Sequence, residues 1–285
     1  MQRIIGLVTL YNPQQSVVDN MRVLSQQVDR VFLMDNSKDD NSLLFTDLVA
    51  VTYIKNEENL GLSGAFNLGL GICGAHESDY IIFFDQDSRV SDNFIQCIRA
   101  NYESLSFTHN VGCIGPMIYD RILKGNVYGR DRLSVGNDCY RVENVITSGL
   151  LTRFGVLKDI GFWNTDIFLD YADWDLCWRM KEKGFLVAQS DNVILNHCLG
   201  EKILSYHFFY IRVNSSFRIY YIIRDGLKLL FRRYVPINYR LLFIRNIFLA
   251  PLVQLLFMKN RLMRSQAIVF GYLHFLLAKS GEYPR

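Results

Sequence analysis

The sequence predicts an α/β protein: a mostly parallel sheet flanked by helices, followed by a helical C-terminal region. Short apolar runs alternate with amphipathic stretches through about residue 115, the pattern of strand–helix–strand units whose strands pair in parallel. Polar clusters end three of the four apolar runs, at Thr9–Asn12, Asp35–Ser37 and Asp85–Ser88. In such sheets ligands gather at the carboxyl ends of the strands. After residue 205 the composition turns basic and aromatic.

The candidate strands are Ile4–Leu10, Val28–Met34, Val51–Lys55 and Tyr80–Asp85, all rich in β-branched and aromatic residues. Between them, Gln14–Gln27, Gly64–Cys73 and Asp92–Leu105 carry helical apolar spacing. Residues 120–145 look irregular, with Gly125, Gly129 and Gly136 among mixed charges. A helix is expected from about Tyr171 to Lys183, stopped by Gly184. Val193–Leu195 reads as a short strand before His197. Beyond it, Tyr206–Tyr221 is aromatic, and Leu241–Met258 and Ile268–Ala278 are apolar. Arg245, Asn246 and Pro251 break the longest of these runs below the ~20 residues of a membrane crossing. The division expected is therefore residues 1–205 as a nucleotide-binding and catalytic unit, and 206–285 as a basic, aromatic helical region. Helices lying on a membrane surface fit that region, and so does a helical dimer interface, leaving a homo-oligomer open.

Half of the 285 residues are hydrophobic and 14% are aromatic, enough for a large core. Cys73, Cys97, Cys113, Cys139, Cys177 and Cys198 form no CxxC pair, which argues against a zinc knuckle or disulfide framework. The first apolar run is too short for a secretory signal, so a cytoplasmic protein is expected. The net charge of +3 conceals an asymmetry. Residues 1–200 carry 17 Lys/Arg against 25 Asp/Glu, a net −8, whereas 201–285 carry 14 against 3, a net +11. The acidic body repels nucleic-acid phosphates, so no nucleic-acid partner is expected. The basic tail suits the anionic inner face of a membrane, or is simply a solvated helical face.

Asp85 and Asp87 stand two apart at a strand end, a spacing that turns side chains to one side of an extended chain. Converging carboxylates need a cation between them, and Mg2+ takes one or two carboxylates and completes its shell with water and phosphates. A helix-capping pair is the plainer alternative. The glycines of Asn59-Leu-Gly61-Leu-Ser-Gly64-Ala-Phe-Asn67-Leu-Gly69 allow close backbone approach to a ligand, but lack the G-x-G-x-x-G and Walker A fingerprints. A glycine-rich helix entry explains them equally. In Phe168-Leu-Asp170-Tyr-Ala-Asp173-Trp174-Asp175, helical spacing puts Asp170, Asp173 and Trp174 on one face, with Asp175 and Arg179 paired on the surface. An acid among aromatics is desolvated toward general-base range, although acids also belong in a first helical turn. His197 is either structural or a late ligand to a metal or diphosphate.

Taken together these pieces resemble glycosyltransferase family 2, in its bacterial rhamnosyltransferase-like branch. The similarity runs in order over roughly residues 4–226: Val8–Pro13, Asp35-Asn36-Ser37, Asn59-x-Gly61, Asn67-x-Gly69 and Phe84-Asp-Gln-Asp-Ser88. Gly115-Pro116, Ser148-Gly149, Asp170-Tyr-Ala-Asp173-Trp-Asp175, His197-x-x-Gly200 and Arg218–Arg224 complete it. The resemblance implies a GT-A fold and inverting transfer from a nucleotide-diphosphate sugar, aided by Mg2+ or Mn2+. It implies that Asp35 contacts the base, that Thr9, Tyr11, Asn12, Asn36, Ser37, Asn59, Gly61 and Asn67 line the nucleotide site, and that Asp85 meets ribose or metal-bound water. Asp87 would hold the metal with His197, Asp173 would be the base, and Ser148, Gly149, Asp170 and Trp174 would border the sugar and acceptor. The Asp-Gln-Asp and Asp170-Tyr-Ala-Asp173 forms resemble users of dTDP-L-rhamnose, with a lipid-linked oligosaccharide as acceptor. Two departures stand out: Asp225 replaces the usual Asn, and Ala172 stands where many relatives have Glu. A nucleotidyltransferase is disfavoured because the loop after the first strand, Tyr-Asn-Pro-Gln-Gln, has no Lys or Arg; a non-catalytic assembly partner would not need both acidic clusters.

Overall fold

In the computed structural model the described residues are 2–120, 124–197, 202–206, 209–213, 215–258 and 260–284. For His197, the strands between 202 and 213, and Phe257, only the backbone is described. Four strands fall where expected: β1 (Ile4–Leu10), β2 (Arg30–Asp35), β3 (Val51–Lys55) and β4 (Tyr80–Asp85). They alternate with α1 (Gln15–Ser25), α2 (Gly61–Ile72) and α3 (Phe94–Ser106). Three residues earlier than the glycine pattern suggested, α2 begins at Gly61, whose N–H is taken by the Asn59 side chain at 3.0 Å.

β1 pairs in parallel with β2 and β4, and β2 with β3. The rest of the sheet is mixed. It comprises β5 (Val111–Asp120), β6 (Gly125–Val127), β7 (Leu133–Gly136), β8 (Cys139–Arg141), β9 (Leu150–Arg153) and β10 (Leu186–His197). The order is β3-β2-β1-β4-β9-β5-β10-β8-β7, with β6 on β5. β9 enters antiparallel between β4 and β5, while β5 and β10 run parallel. Within the stretch expected to be irregular, the described residues thus include three short antiparallel strands, β6, β7 and β8. A bulge between Ser190 and Ile194 falls where β10 passes Pro116, a residue with no N–H to give the ladder. A separate hairpin joins β11 (Lys202–Tyr206) to β12 (Phe209–Val213).

Side chains alternate across the sheet, and this parity builds two cores. Ile5, Leu7, Ile81 and Phe83 face α2, α4 (Phe154–Ile160), α5 (Ala172–Glu182) and the C-terminal helices. Val8, Leu33, Tyr80, Ile82 and Phe84 face α1 and α3. The C-terminal helices are α6 (Ser216–Leu230), α7 (Ile237–Ile244), α8 (Ala250–Phe257) and α9 (Arg261–Leu276). They are not an appendage, since Ile219, Tyr220, Ile223, Phe243 and Ile247 belong to the first of those cores.

A π-helical turn, Arg245–Leu249, joins α7 to α8, so Ile237–Leu256 forms one 20-residue helix. By length and mean hydropathy (1.4) that helix passes the test for a membrane crossing, which corrects the expectation that Arg245, Asn246 and Pro251 would break it. Composition alone is weak evidence of a crossing. Pro251 cannot donate to Ile247, and the Tyr272 hydroxyl supplies that bond at 2.8 Å.

Candidate active site

A cavity of about 590 Å3 opens at the carboxyl ends of β1 and β4. One wall is Thr9, Tyr11, Asn36, Asn59, Gly61 and Asp85, all singled out in the sequence. The other is Phe168, Leu169, Ser216, Phe217, Tyr221, Met263, Glu282 and Tyr283, none of which was expected at a site. Only the aromatic density of residues 206–221 hinted at them, because no local motif marks a wall built from sequence-distant segments.

Strand parity places each acid. Asp85 lies on the Ile81/Phe83 side of β4 and therefore opens into the cavity. Its carboxylate accepts the Ser148 hydroxyl at 2.6 Å, and Ser88 hydrogen-bonds Ser148 in turn at 2.9 Å. Gly149, at φ +83°, lets the chain bend under Asp85; a Cβ there would lie 2.8 Å from Pro116. Ser148 thus meets Asp85, and neither it nor Gly149 is among the residues lining the cavity.

The strand ends at Asp85, and a turn closed by Ser88 N–H to Asp85 C=O at 3.1 Å follows, so Asp87 is positioned by that turn and not by strand alternation. Asp87 is exposed in a second hollow of about 200 Å3 with Asn12, Gln14, Asn20 and Arg89. Gln86 borders both hollows and clasps the Tyr11 backbone, accepting its N–H at 2.9 Å and donating to its C=O at 3.1 Å. No group of three or more His, Cys, Asp or Glu side chains comes together among the described residues. The His197 side chain lies outside them; its backbone pairs with Asp120.

Asp35 has the parity of Val31 and Leu33, the face opposite the cavity. It is fully buried and takes donors from Ser37 N–H (2.8 Å), the Ser37 hydroxyl, Asn41 (2.9 Å) and Tyr53 (2.6 Å). These bonds fix the loop after β2, and burial beside Asp35 drives the Tyr53 phenol well above its usual range. Ser37 accepts the Asn12 N–H at 2.7 Å. Asn36 turns the other way, donating to Gly61 C=O at 2.9 Å and accepting from Leu60 N–H at 3.1 Å and Asn56 at 2.8 Å. Gly61 is required: its φ is +68°, and a Cβ would stand 2.4 Å from the Phe168 carbonyl oxygen. Asn67 does not reach the nucleotide wall, because its amide is spent on Trp163 N–H (3.0 Å) and C=O (2.8 Å).

The second acidic cluster divides as well. Asp170 precedes α5 rather than sharing a helical face, and Arg218 of α6 pairs with it at 2.8 Å. Tyr171 caps α5 with φ +71°, its ring 4.8 Å from Phe243 and 5.2 Å from Trp174. Trp174 packs against Trp178, Tyr239 and Phe243 instead of bordering the cavity. The Asp175–Arg179 pair (2.7 Å) exists, but Asp175 is wholly buried, not on the surface, and also accepts the Tyr234 hydroxyl. Asp173, half-buried in the first turn of α5, stands apart. Burial pushes its carboxyl up to about 7, and the charges of Asp85 and Asp170 add to that push. Backbone hydrogen bonds from Trp174 (2.9 Å) and Thr147 hold it back only in part.

The arrangement offers one carboxylate fixed for ligand contact, Asp85, and one poised to take a proton near neutral pH, Asp173. Among the described residues, those lining the main cavity include two acids, Asp85 and Glu282, and no Lys or Arg. A diphosphate entering there needs a cation, and a site of one or two carboxylates completed by phosphate oxygens fits Mg2+ or Mn2+.

Comparison with known proteins agrees with this geometry. The family model described as Glycosyl transferase family 2 matches residues 7–159. The dTDP-rhamnosyl transferase RfbF of Shigella flexneri is 26% identical over 248 residues, 82% of each chain. Among solved structures, S. aureus TarS 1–349 in complex with UDP-GlcNAc superposes with a TM-score of 0.61 at 12% identity, over 97% of this chain and 81% of that one. GalNAc-T7 with UDP, GalNAc and Mn2+ gives 0.57 at 11% identity over 86% of this chain, which spans about half (54%) of that longer chain. At these identities the two structures speak for the fold, a GT-A-type α/β sheet with flanking helices. The chain belongs to glycosyl transferase family 2 and is a glycosyltransferase.

Proposed function

We propose that this enzyme transfers L-rhamnose from dTDP-L-rhamnose, with inversion, to a lipid-linked glycan used in bacterial surface polysaccharide synthesis. The observation that carries the reading is Asp173, a carboxyl raised to about 7 by burial and by the charges of Asp85 and Asp170, with Asp85 itself opening into the cavity. The similarity to a dTDP-rhamnosyl transferase favours the donor. So does the cavity's apolar wall of Phe168, Leu169, Phe217 and Met263, which suits the methyl group of a 6-deoxy sugar better than a hydroxymethyl.

In this mechanism Thr9, Tyr11, Asn36 and Asn59 hold the nucleotide, and Gly61 lets the turn approach it. Asp173 removes the proton from the acceptor hydroxyl, whose oxygen attacks the anomeric carbon from the face opposite the departing diphosphate. Ser148 keeps Asp85 oriented, and Asp85 with Asp87, from the two hollows that adjoin at Gln86, would hold a divalent cation. That cation supplies Lewis-acid stabilisation of the leaving diphosphate, so no second acid is needed to protonate it, in contrast to glycoside hydrolysis.

The acceptor's lipid is inferred from the outer face of the C-terminal helices. Leu241, Leu249, Leu252 and Leu256 are 58–66% exposed, as is Leu262 at 73%, and Arg232, Arg233, Arg240 and Arg261 lie among them in sequence. An apolar face with basic neighbours suits the anionic cytoplasmic surface of a membrane. Residues 206–285 would then serve both as membrane attachment and as the second cavity wall. The test is calorimetry over dTDP-, UDP- and GDP-sugars with and without Mg2+ or Mn2+, followed by mass spectrometry of the transfer product. dTDP-L-rhamnose should bind tightest and only with the cation; tighter binding of a UDP- or GDP-sugar would overturn the donor assignment.

A further inference from the structure

The backbone of Phe168 sits between two segments far apart in sequence. Its C=O accepts the N–H of Leu62 at 2.7 Å, in the first turn of α2, and faces Gly61 so closely that no Cβ fits. Its N–H donates to Asp225 of α6 at 2.9 Å. Asp225 and Arg224 are both wholly buried and paired at 2.7 Å. Arg224 also donates to the C=O of Gly281 at 2.7 Å, and Tyr283 N–H donates to the Tyr221 hydroxyl at 2.8 Å. Tyr221 stacks on Phe168 with ring centroids 4.8 Å apart. The loop closes where Asn59 meets Glu282 at 3.2 Å.

A buried ion pair is a poor source of stability, because desolvation offsets most of the attraction. Its presence here is better explained by what it orients. We infer that Asp225, held by Arg224, is a positioning residue for the donor-binding turn Asn59–Leu62 and acts on it through the backbone of Phe168. The inference rests on the reading of the cavity as the donor site. Asp225 touches no part of the cavity itself; it fixes the Phe168 N–H, and thereby the height of the carbonyl that anchors Leu62. Loss of the charge frees Arg224, the Gly281 strap and Phe168 together, so the two cavity walls lose their common reference.

The test uses the full chain with Asp225→Ala and Asp225→Asn, the latter still able to accept the Phe168 N–H but unable to pair with Arg224. In hydrogen exchange without ligand, peptides spanning 59–66 and 166–171 should exchange at least about tenfold faster in Asp225→Ala, while those of β1 and β4 stay unchanged. Asp225→Asn should fall between the two. With dTDP-L-rhamnose, KM should rise about tenfold with kcat altered far less, as expected when a binding turn is misplaced. Combined with Asn59→Ala, the losses should fall short of their sum, since both act on one turn. Unchanged exchange at 59–66, or a uniform rise across the sheet, would overturn the inference. A wild-type protein that binds no nucleotide sugar would overturn the proposed function instead, and the exchange measurement would still decide the role of Asp225. Should Asp225→Ala not fold, Asp225→Asn carries the same exchange comparison.

Discussion

Replacing Asp173 by Asn separates its proposed chemical role from its electrostatic burden. A base must be ionised, so with its carboxyl at about 7 only about a tenth is active at pH 6 and about nine-tenths at pH 8, and kcat/KM should rise about tenfold across that interval. Asp173→Asn should lower kcat by roughly 10²–10⁴ and abolish the rise, while nucleotide-sugar affinity stays within a few-fold. The same shift predicts stability. The folded-state value lies above the ordinary carboxyl value of 3.8, so folding carries no penalty from this group below pH 3.8, and the penalty grows until pH passes about 7. The full shift corresponds to about 4 kcal/mol, and partial solvent access reduces it to about 2. Thermal melting without divalent cation should therefore place Asp173→Asn about 5 °C above wild type at pH 8, with the gap closing toward pH 4. A rate flat from pH 6 to 8, or equal melting at pH 8, would refute the reasoning.

Gly61→Ala should destabilise the fold by about 2–4 kcal/mol and weaken nucleotide binding at least tenfold, from the combined strain of positive φ and a clash with a backbone carbonyl; urea melts and calorimetry report each. Ser148→Ala, which removes the hydroxyl holding Asp85, should raise the concentration of divalent cation needed for half-maximal transfer by about tenfold, since one charge-assisted hydrogen bond is worth roughly 1.5 kcal/mol. For Asp87→Ala, activity and its metal dependence should disappear together; unchanged metal-dependent rates would leave Asp85 as the sole ligand of the pair. Leu252→Glu with Leu256→Glu should abolish sedimentation with anionic vesicles and leave melting nearly unchanged, because both side chains are exposed.

The parallel half of the fold was legible because β1, β2, β3 and β4 are short apolar runs alternating with amphipathic stretches, three of them ending in polar clusters. β5 was not, although it lies deep in the sheet: Gly112, Gly115 and Pro116 lower its local propensity, and tertiary packing overrides them. The acids were identifiable as residue types but not as directions. Asp85 and Asp35 differ only in which face their strand position turns them toward, and that face depends on which helices cover it. The direction of Asp87 was not legible because the strand stops at Asp85, two residues short of where its pattern would continue, and a turn sets Asp87 instead. Asn67 and Trp174 illustrate a different limit: the sequence spacing was as read, but each side chain was already committed to packing against segments nearly a hundred residues away or in the C-terminal helices.

Asn59 and Glu282 lie 223 residues apart, and the turn at Gly61 leans on the Phe168 backbone, which Asp225 must hold. The consequence is temporal. During synthesis the sheet can form early, yet the cavity gains Ser216, Phe217, Tyr221, Met263, Glu282 and Tyr283 only once those residues have emerged from the ribosome, since such long-range contacts close last. Until then a nascent chain would fold around an unfinished pocket.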